Sequence, residues 1–224
     1  YEITTRLVGS EMCIRDRAYT NTYASLAYLE KLYMEAILHP DIRILSIATR
    51  PDCLGNQVID MLRDIQRIKP VWVELGLQTI HEETAKFINR GYPISVYDEA
   101  VKKLRDLGVH VIVHMILGLP GETQRDMIET AEYIGKSGAQ GIKLQLLHVL
   151  KGTNLAELYQ NGECSVLSLE AYTECVVSCL KVLPPDMVIH RLTGDGPKKL
   201  LIAPLWSADK KKVMNTINAA VRQA

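Results

Sequence analysis

Three stretches of this chain alternate between apolar and polar residues with period two, and no other feature restricts the fold as much. From Val71, the residues Val71, Val73, Leu75 and Leu77 alternate with Trp72, Glu74, Gly76 and Gln78. From Val109, the residues Val111, Val113, Met115 and Leu117 alternate with His110, Ile112, His114 and Ile116. From Ile142, the residues Leu144 and Leu146 alternate with Lys143 and Gln145, and His148 follows. Strand side chains point to opposite faces in turn, so each run sets a greasy face against helices and turns Glu, Gln, His or Lys the other way. The second face reads as a ligand-lined interior.

Helical spacing fills the intervals between these runs. Ser25 opens a helix with Leu26, Leu29 and Leu32 or Tyr33 on one face, and Pro40 stops it. A strand over 43–49, a helix over 55–68, helices over 82–89 and 95–107 with Gly108 as C-cap, and a helix from a Thr123–Asp126 capping box to Lys136 complete the alternation. Strands and helices in strict turn at short loop lengths predict parallel strands with right-handed crossovers. A doubly wound sheet packs helices on both faces and needs both apolar. Here one face carries Glu74, Gln78, His114 and Lys143, so the expected class is α/β, a partial (β/α) barrel resembling a TIM barrel, over residues 18–150. Residues 151–224 read as an appended C-terminal α+β element, with helices near 155–159 and 169–183, a strand near 188–192 and a last helix from Ala208.

The chain has 224 residues, enough for one sizeable core. Its 26 Lys and Arg balance its 26 Asp and Glu, so composition supplies no overall pull toward nucleic acid or an acidic membrane. Five cysteines at spacings that form no disulfide framework predict a reducing, cytoplasmic location. No apolar run approaches the roughly 20 residues that a membrane helix needs, so no membrane partner is expected. Residues 1–17 show neither periodicity, and Leu7 to Arg17 resembles translated adapter read-through at the ends of metagenome-derived proteins. They are expected to be a non-native prefix, and the native protein to begin upstream of Ala18.

In barrels of parallel strands the site lies at the C-terminal strand ends, where Gln78, His114 with Gly118, and His148 fall. Arg90, followed by Gly91, can reach back over that mouth or cap its own helix as a solvated cation. Glu74 and Gln78 can equally form a satisfied internal pair.

The segments 74–79 (ELGLQT), 89–91 (NRG) and 114–122 (HMILGLPGE) resemble the middle strands of radical S-adenosylmethionine (SAM) enzymes of the Elongator catalytic-subunit type and their coproporphyrinogen-oxidase-like relatives. The segments 18–23 (AYTNTY), 49–53 (TRPDC), 148–153 (HVLKGT) and 191–197 (RLTGDGP) are similar to YhcC-like radical SAM proteins, and this likeness covers the chain from Ala18 to its end. The resemblance implies a partial barrel with SAM across the strand ends. Cofactor-side residues would be Glu74, Gln78, Arg90 and His114, with Gly118, Leu119 and Pro120 beside the adenine; Arg50, Lys143, Gln145 and His148 would face the substrate. It further implies a [4Fe-4S] cluster on a CxxxCxxC loop, an electron donor, and an unknown substrate, tRNA or a small molecule.

That loop does not occur in this sequence, so its ligands are expected upstream and the chain alone is expected to be inactive. Cys175 and Cys179 share the spacing of the first pair, but position 182 is Val; buried free thiols are the expectation, as is a structural thiol at Cys53. His110 and His114 share a strand face about 13 Å apart, too far for one ion, and no metal ligand is assigned. Gly194-Asp195-Gly196 reads as a turn, and Lys210 to Lys212 as a solvated helix face. Two other functions fit the residues: a Schiff-base lyase using Lys143, and a non-catalytic SAM-binding or interaction domain.

Overall fold

The computed structural model describes the backbone of residues 4–8 and 11–16 and, with side chains, residues 20–194 and 196–224. Ala18 and Tyr19 of the 18–23 segment, the Cys13 side chain and Asp195 lie outside the described residues. In chain order the elements are β1 (Thr4–Val8), β2 (Glu11–Asp16), α1 (Leu26–Leu38), β3 (Ile42–Thr49), α2 (Asn56–Gln66), β4 (Val71–Gln78), α3 (Glu82–Phe87), α4 (Ile94–Asp106) and β5 (His110–Leu117). There follow α5 (Gln124–Lys136), β6 (Gly141–Leu146), β7 (Val149–Leu150), α6 (Asn154–Gln160), α7 (Leu169–Val182), β8 (Val188–Arg191), β9 (Leu201–Ala203) and α8 (Lys210–Gln223). The main sheet runs β1-β2-β3-β4-β5-β6-β8, and β7 pairs antiparallel with β9. Strands β3, β4, β5, β6 and β8 make the parallel half-barrel that the alternation predicts.

The greasy strand faces are sealed. Val71, Val73, Leu75 and Leu77 of β4, and Val111, Val113, Met115 and Leu117 of β5, are fully buried, as are Ile142 and Leu144 of β6. Each such side chain contributes roughly 1.5–3 kcal/mol on leaving water. The opposite face is more enclosed than an open mouth would be: Glu74 and Lys143 are each only 4% exposed. Ser46 Oγ donates to Glu74 Oε1 at 3.1 Å, which offsets part of the cost of burying that carboxylate.

Within the segment expected to be a non-native prefix, two strands are described. β1 and β2 form an antiparallel pair, and β2 lies parallel to β3 with Ile14 opposite Leu45. The edge of β3 presents unpaired N–H and C=O groups that any extended segment can satisfy, whatever its side-chain pattern.

By contacts the chain divides into two compact units, one of Tyr1–Leu77, Tyr92–Val113 and Ser137–Gly141, the other of Gln78–Gly91, His114–Lys136 and Ile142–Ala224. In the first, α1 buries Leu29, Tyr33, Ala36 and Ile37, and Tyr33 Oη donates to Asn21 O at 2.7 Å. Tyr97 of α4 donates to Ser137 Oγ at 3.1 Å. In the second, α7 packs on α5 and α8, and Tyr172 meets Trp206 with ring centroids 5.6 Å apart. The α5 start is the predicted reciprocal cap: Thr123 N donates to Asp126 Oδ2 at 2.7 Å and Asp126 N donates to Thr123 Oγ1 at 3.3 Å. The Thr123 N–H and the Thr123 hydroxyl, both donating to Oδ2 at 2.7 Å, hold the Asp126 carboxyl below its ordinary pKa.

Candidate ligand-binding site

The second unit contains a cavity of about 510 Å³ at the C-terminal ends of β4 and β5, within the size range of small-ligand pockets. Its walls are Gln78; Phe87 to Asn89 after α3; Ile116, Leu119 and Pro120 around the end of β5; Leu147; and Asn154, Leu155 and Leu158 of α6. Among the described residues no acidic or basic side chain lines it, and the polar side chains are three carboxamides, Gln78, Asn89 and Asn154. Two of these sit on left-handed backbone, Gln78 at φ 71° and Asn89 at φ 53°, a conformation that costs a non-glycine residue about 1–2 kcal/mol. Gln78 Oε1 is buried with no hydrogen-bond partner in the protein, so in the cavity wall it is an acceptor open to a donor from a ligand or from water. Gly118 has φ 84°, and a Cβ there would approach Leu167 to 3.1 Å, so the turn into Leu119–Pro120 depends on glycine.

The structure therefore brings Gln78, Leu119 and Pro120 together on one cavity, with Gly118 at its turn. Arg90 and His114 do not line it. Arg90 is 4% exposed; Nη1 donates to Thr79 O at 2.6 Å and Nη2 to Glu82 Oε1 at 2.9 Å. His114 Nδ1 lies 2.9 Å from Gln145 Nε2. His148 is half-buried under the Gly194–Gly196 loop, where a Cβ on Gly194 would come within 2.3 Å of His148 Cε1. In the first unit, Arg50 forms a two-pronged ion pair with Asp52 (2.9 and 2.7 Å) and lies 5.4 Å over the Tyr92 ring. The hydroxyl of Tyr92 donates to Gly76 O, and Asn21, in the same unit, is buried with neither carboxamide atom paired.

The sequence gives no warning of Phe87, Asn89, Ile116, Leu147 or α6 as cavity walls. Apolar residues there read as core, and the one available signal is Asn89, an asparagine ahead of Arg90-Gly91 where a left-handed turn is needed.

The four described cysteines form no ligand set. Cys175 Sγ faces Met127 Sδ at 3.8 Å, Cys179 Sγ faces Met127 O at 3.8 Å, and burial pushes their thiols up to about 11 and about 12. Cys53 and Cys164 are half-exposed and free. Among the described residues no three thiols converge. His81, Asp126 and Glu129 do bring ligand atoms within 4.8 Å of one another, but Asp126 serves the α5 cap and Glu129 pairs with Arg125 at 2.8 Å.

The parallel half-barrel defines the class of fold, and comparison with known proteins gives the family. Residues 18–134 match the model of the radical SAM superfamily, and residues 139–223 that of the Radical_SAM C-terminal domain. The chain belongs to the radical SAM superfamily. It is 44% identical over 202 residues to the uncharacterized protein YtqA of Bacillus subtilis, covering 90% of this chain and 63% of YtqA. It is 36% identical over 195 residues to protein YhcC of Escherichia coli, covering 87% and 63%. Among solved structures, archaeal Methanocaldococcus infernus Elp3 with an N-terminal deletion superposes with TM-score 0.75 at 20% identity, covering 91% of this chain and 53% of that one. The chain thus spans less than two thirds of the length of these curated relatives. No helix among the described residues is long and apolar enough to cross a membrane.

The superfamily implies two groups, and the residues treat them differently. The orphaned Gln78 Oε1, the apolar walls and the Gly118 turn fit the uncharged nucleoside end of SAM. The four described cysteines do not fit a three-thiolate cluster.

Proposed function

We propose that this chain is the SAM-binding part of a radical SAM enzyme whose cluster cysteines lie outside the described residues. The nucleoside lies in the cavity between Gln78 and Leu119–Pro120, its donor groups meeting Gln78 Oε1 and its base packing on Ile116 and Leu147. Gly118 keeps the Leu119–Pro120 turn close enough for backbone contact. Arg90 supports the cofactor side from behind the cavity wall and His114 from outside the lining, and Lys143, Gln145 and His148 serve the substrate side. When bound, SAM supplies the deoxyadenosyl group with which this superfamily abstracts hydrogen from a substrate. The reading places the parent protein in a reducing cytoplasm with an electron donor as partner, in keeping with four free thiols.

The observation that carries this reading is the unpaired Gln78 Oε1 in a wall without charged groups. Isothermal titration of the purified chain with SAM is expected to show one saturable site, and Gln78→Ala to weaken it about tenfold by removing one ligand hydrogen bond. A wild-type chain that shows no saturable binding sinks the proposal. Iron and labile sulfide in the product of the full genomic reading frame test the other half. Absence of both after anaerobic reconstitution would leave a SAM-binding domain without radical chemistry.

A further inference from the structure

Each of the two left-handed residues in the cavity wall is followed by a residue that ties it to the other. Gln78 precedes Thr79, which is fully buried, and Asn89 precedes Arg90. Arg90 Nη1 donates to Thr79 O at 2.6 Å, so the β4 end and the turn after α3 are clasped to one another. Thr79 Oγ1 accepts from His81 N at 3.1 Å and donates to Glu122 Oε1 at 2.5 Å. Glu122 stands two residues beyond Pro120, so the same chain of bonds reaches the third wall. Neither Thr79, Arg90 nor Glu122 lines the cavity; they stand one layer behind it.

Left-handed backbone at a glutamine persists only where its surroundings hold it there. Here the hold on Gln78 comes from the residue next to it, and the carboxyl is the far anchor. Glu122 Oε2 is buried without a hydrogen-bond partner, and burial raises the carboxyl's pKa against the bond from Thr79 and the nearby His81. A glutamine would fill that space and still accept from Thr79 Oγ1.

We propose that Glu122 is a positioning residue for the cavity, anchoring Thr79 and thereby fixing the Gln78 carboxamide, and steadying the Asn89 turn through the Thr79–Arg90 bond. The inference rests on the cavity being the ligand site proposed above, and two measurements separate the fates of the two ideas. The first is amide hydrogen exchange of the ligand-free chain. Glu122→Ala is expected to speed exchange about tenfold at Thr79 to His81 and at Arg90, leaving the β5 amides unchanged, as loss of one buried hydrogen bond allows. Glu122→Gln is expected to stay within about twofold of wild type because it keeps the acceptor. Thr79→Val, close to isosteric, is expected to match Glu122→Ala, and the double variant to be no worse than either alone.

The second measurement is SAM titration. Glu122→Ala and Thr79→Val are expected to weaken binding about tenfold, with Glu122→Gln and Thr79→Ser near wild type. Unchanged exchange at residues 79–81 and 90 in Glu122→Ala and Thr79→Val overturns the anchor, whatever SAM does. Wild-type binding that survives undiminished in both variants overturns its role at the cavity. Wild-type protein that does not bind SAM sinks the ligand assignment, and the exchange data still decide whether the anchor exists.

Discussion

Cys175 and Cys179 show what a single residue's surroundings do to its chemistry. Four apart on α7, they present both thiols to Met127 of α5, and burial pushes them up to about 11 and about 12 from an ordinary 9.0. At pH 8 both thiols are held overwhelmingly in the unreactive neutral form, so alkylation of the folded chain should spare this pair. Iodoacetamide labelling at pH 8 followed by peptide mass analysis should find Cys53 and Cys164 modified first; equal labelling at Cys179 would place it at the surface. A thiol raised on folding favours the neutral form, so its contribution is whole below pH 9.0 and lost as pH climbs toward about 12. Denaturation midpoints should fall between pH 9 and 11, and less so in Cys175→Ala/Cys179→Ala, a comparison that separates thiols from the Lys and Tyr titrating nearby. The sequence reached the buried thiols and Gln78, because helical spacing and strand ends are local facts. It could not reach Phe87 or Leu147 as cavity walls, because their neighbours across the cavity come from distant segments.

At the scale of one element, α6 is the part of the site with least support of its own. It has seven residues, too few to hold a helix in isolation. Thr153 fastens it, donating to Leu150 O at 2.8 Å and accepting from Ala156 N at 3.2 Å. Asn154, Leu155 and Leu158 of this helix wall the cavity. Thr153→Ala should cost about 1 kcal/mol, lower the melting temperature by about 2–4 °C, and weaken SAM binding together with it. Thr153→Ser should restore both. Binding unaffected by a frayed α6, seen by exchange at Ala156 to Leu158, would remove that helix from the site. The Thr153 cap lies inside a segment the sequence singled out by resemblance. The pairing of β7 with β9 was invisible, because two residues, Val149 and Leu150, have no period to read and their partners begin at Leu201.

Taken whole, the molecule carries 26 positive and 26 negative side chains and a sequence pI near 7.2. Light scattering should find self-association strongest close to that pH and weaker at pH 8.5 and at pH 6, because net charge is what keeps copies apart. A flat profile would mean that specific surface contacts outweigh net charge. The sequence by itself determined the order and direction of the central elements: alternation along Val71–Gln78 and His110–Leu117 dictates strands, helical spacing dictates what lies between, and the helical crossovers make the strands parallel. It also determined the family, since motifs such as Gly118-Leu119-Pro120-Gly121-Glu122 are contiguous. Tertiary structure alone decided which polar groups meet. Arg90 finds Thr79 O, Thr79 finds Glu122 and His114 finds Gln145, while Gln78 Oε1 finds none. Such pairings depend on ångström-scale approach between segments far apart in the chain, and no local periodicity encodes that distance.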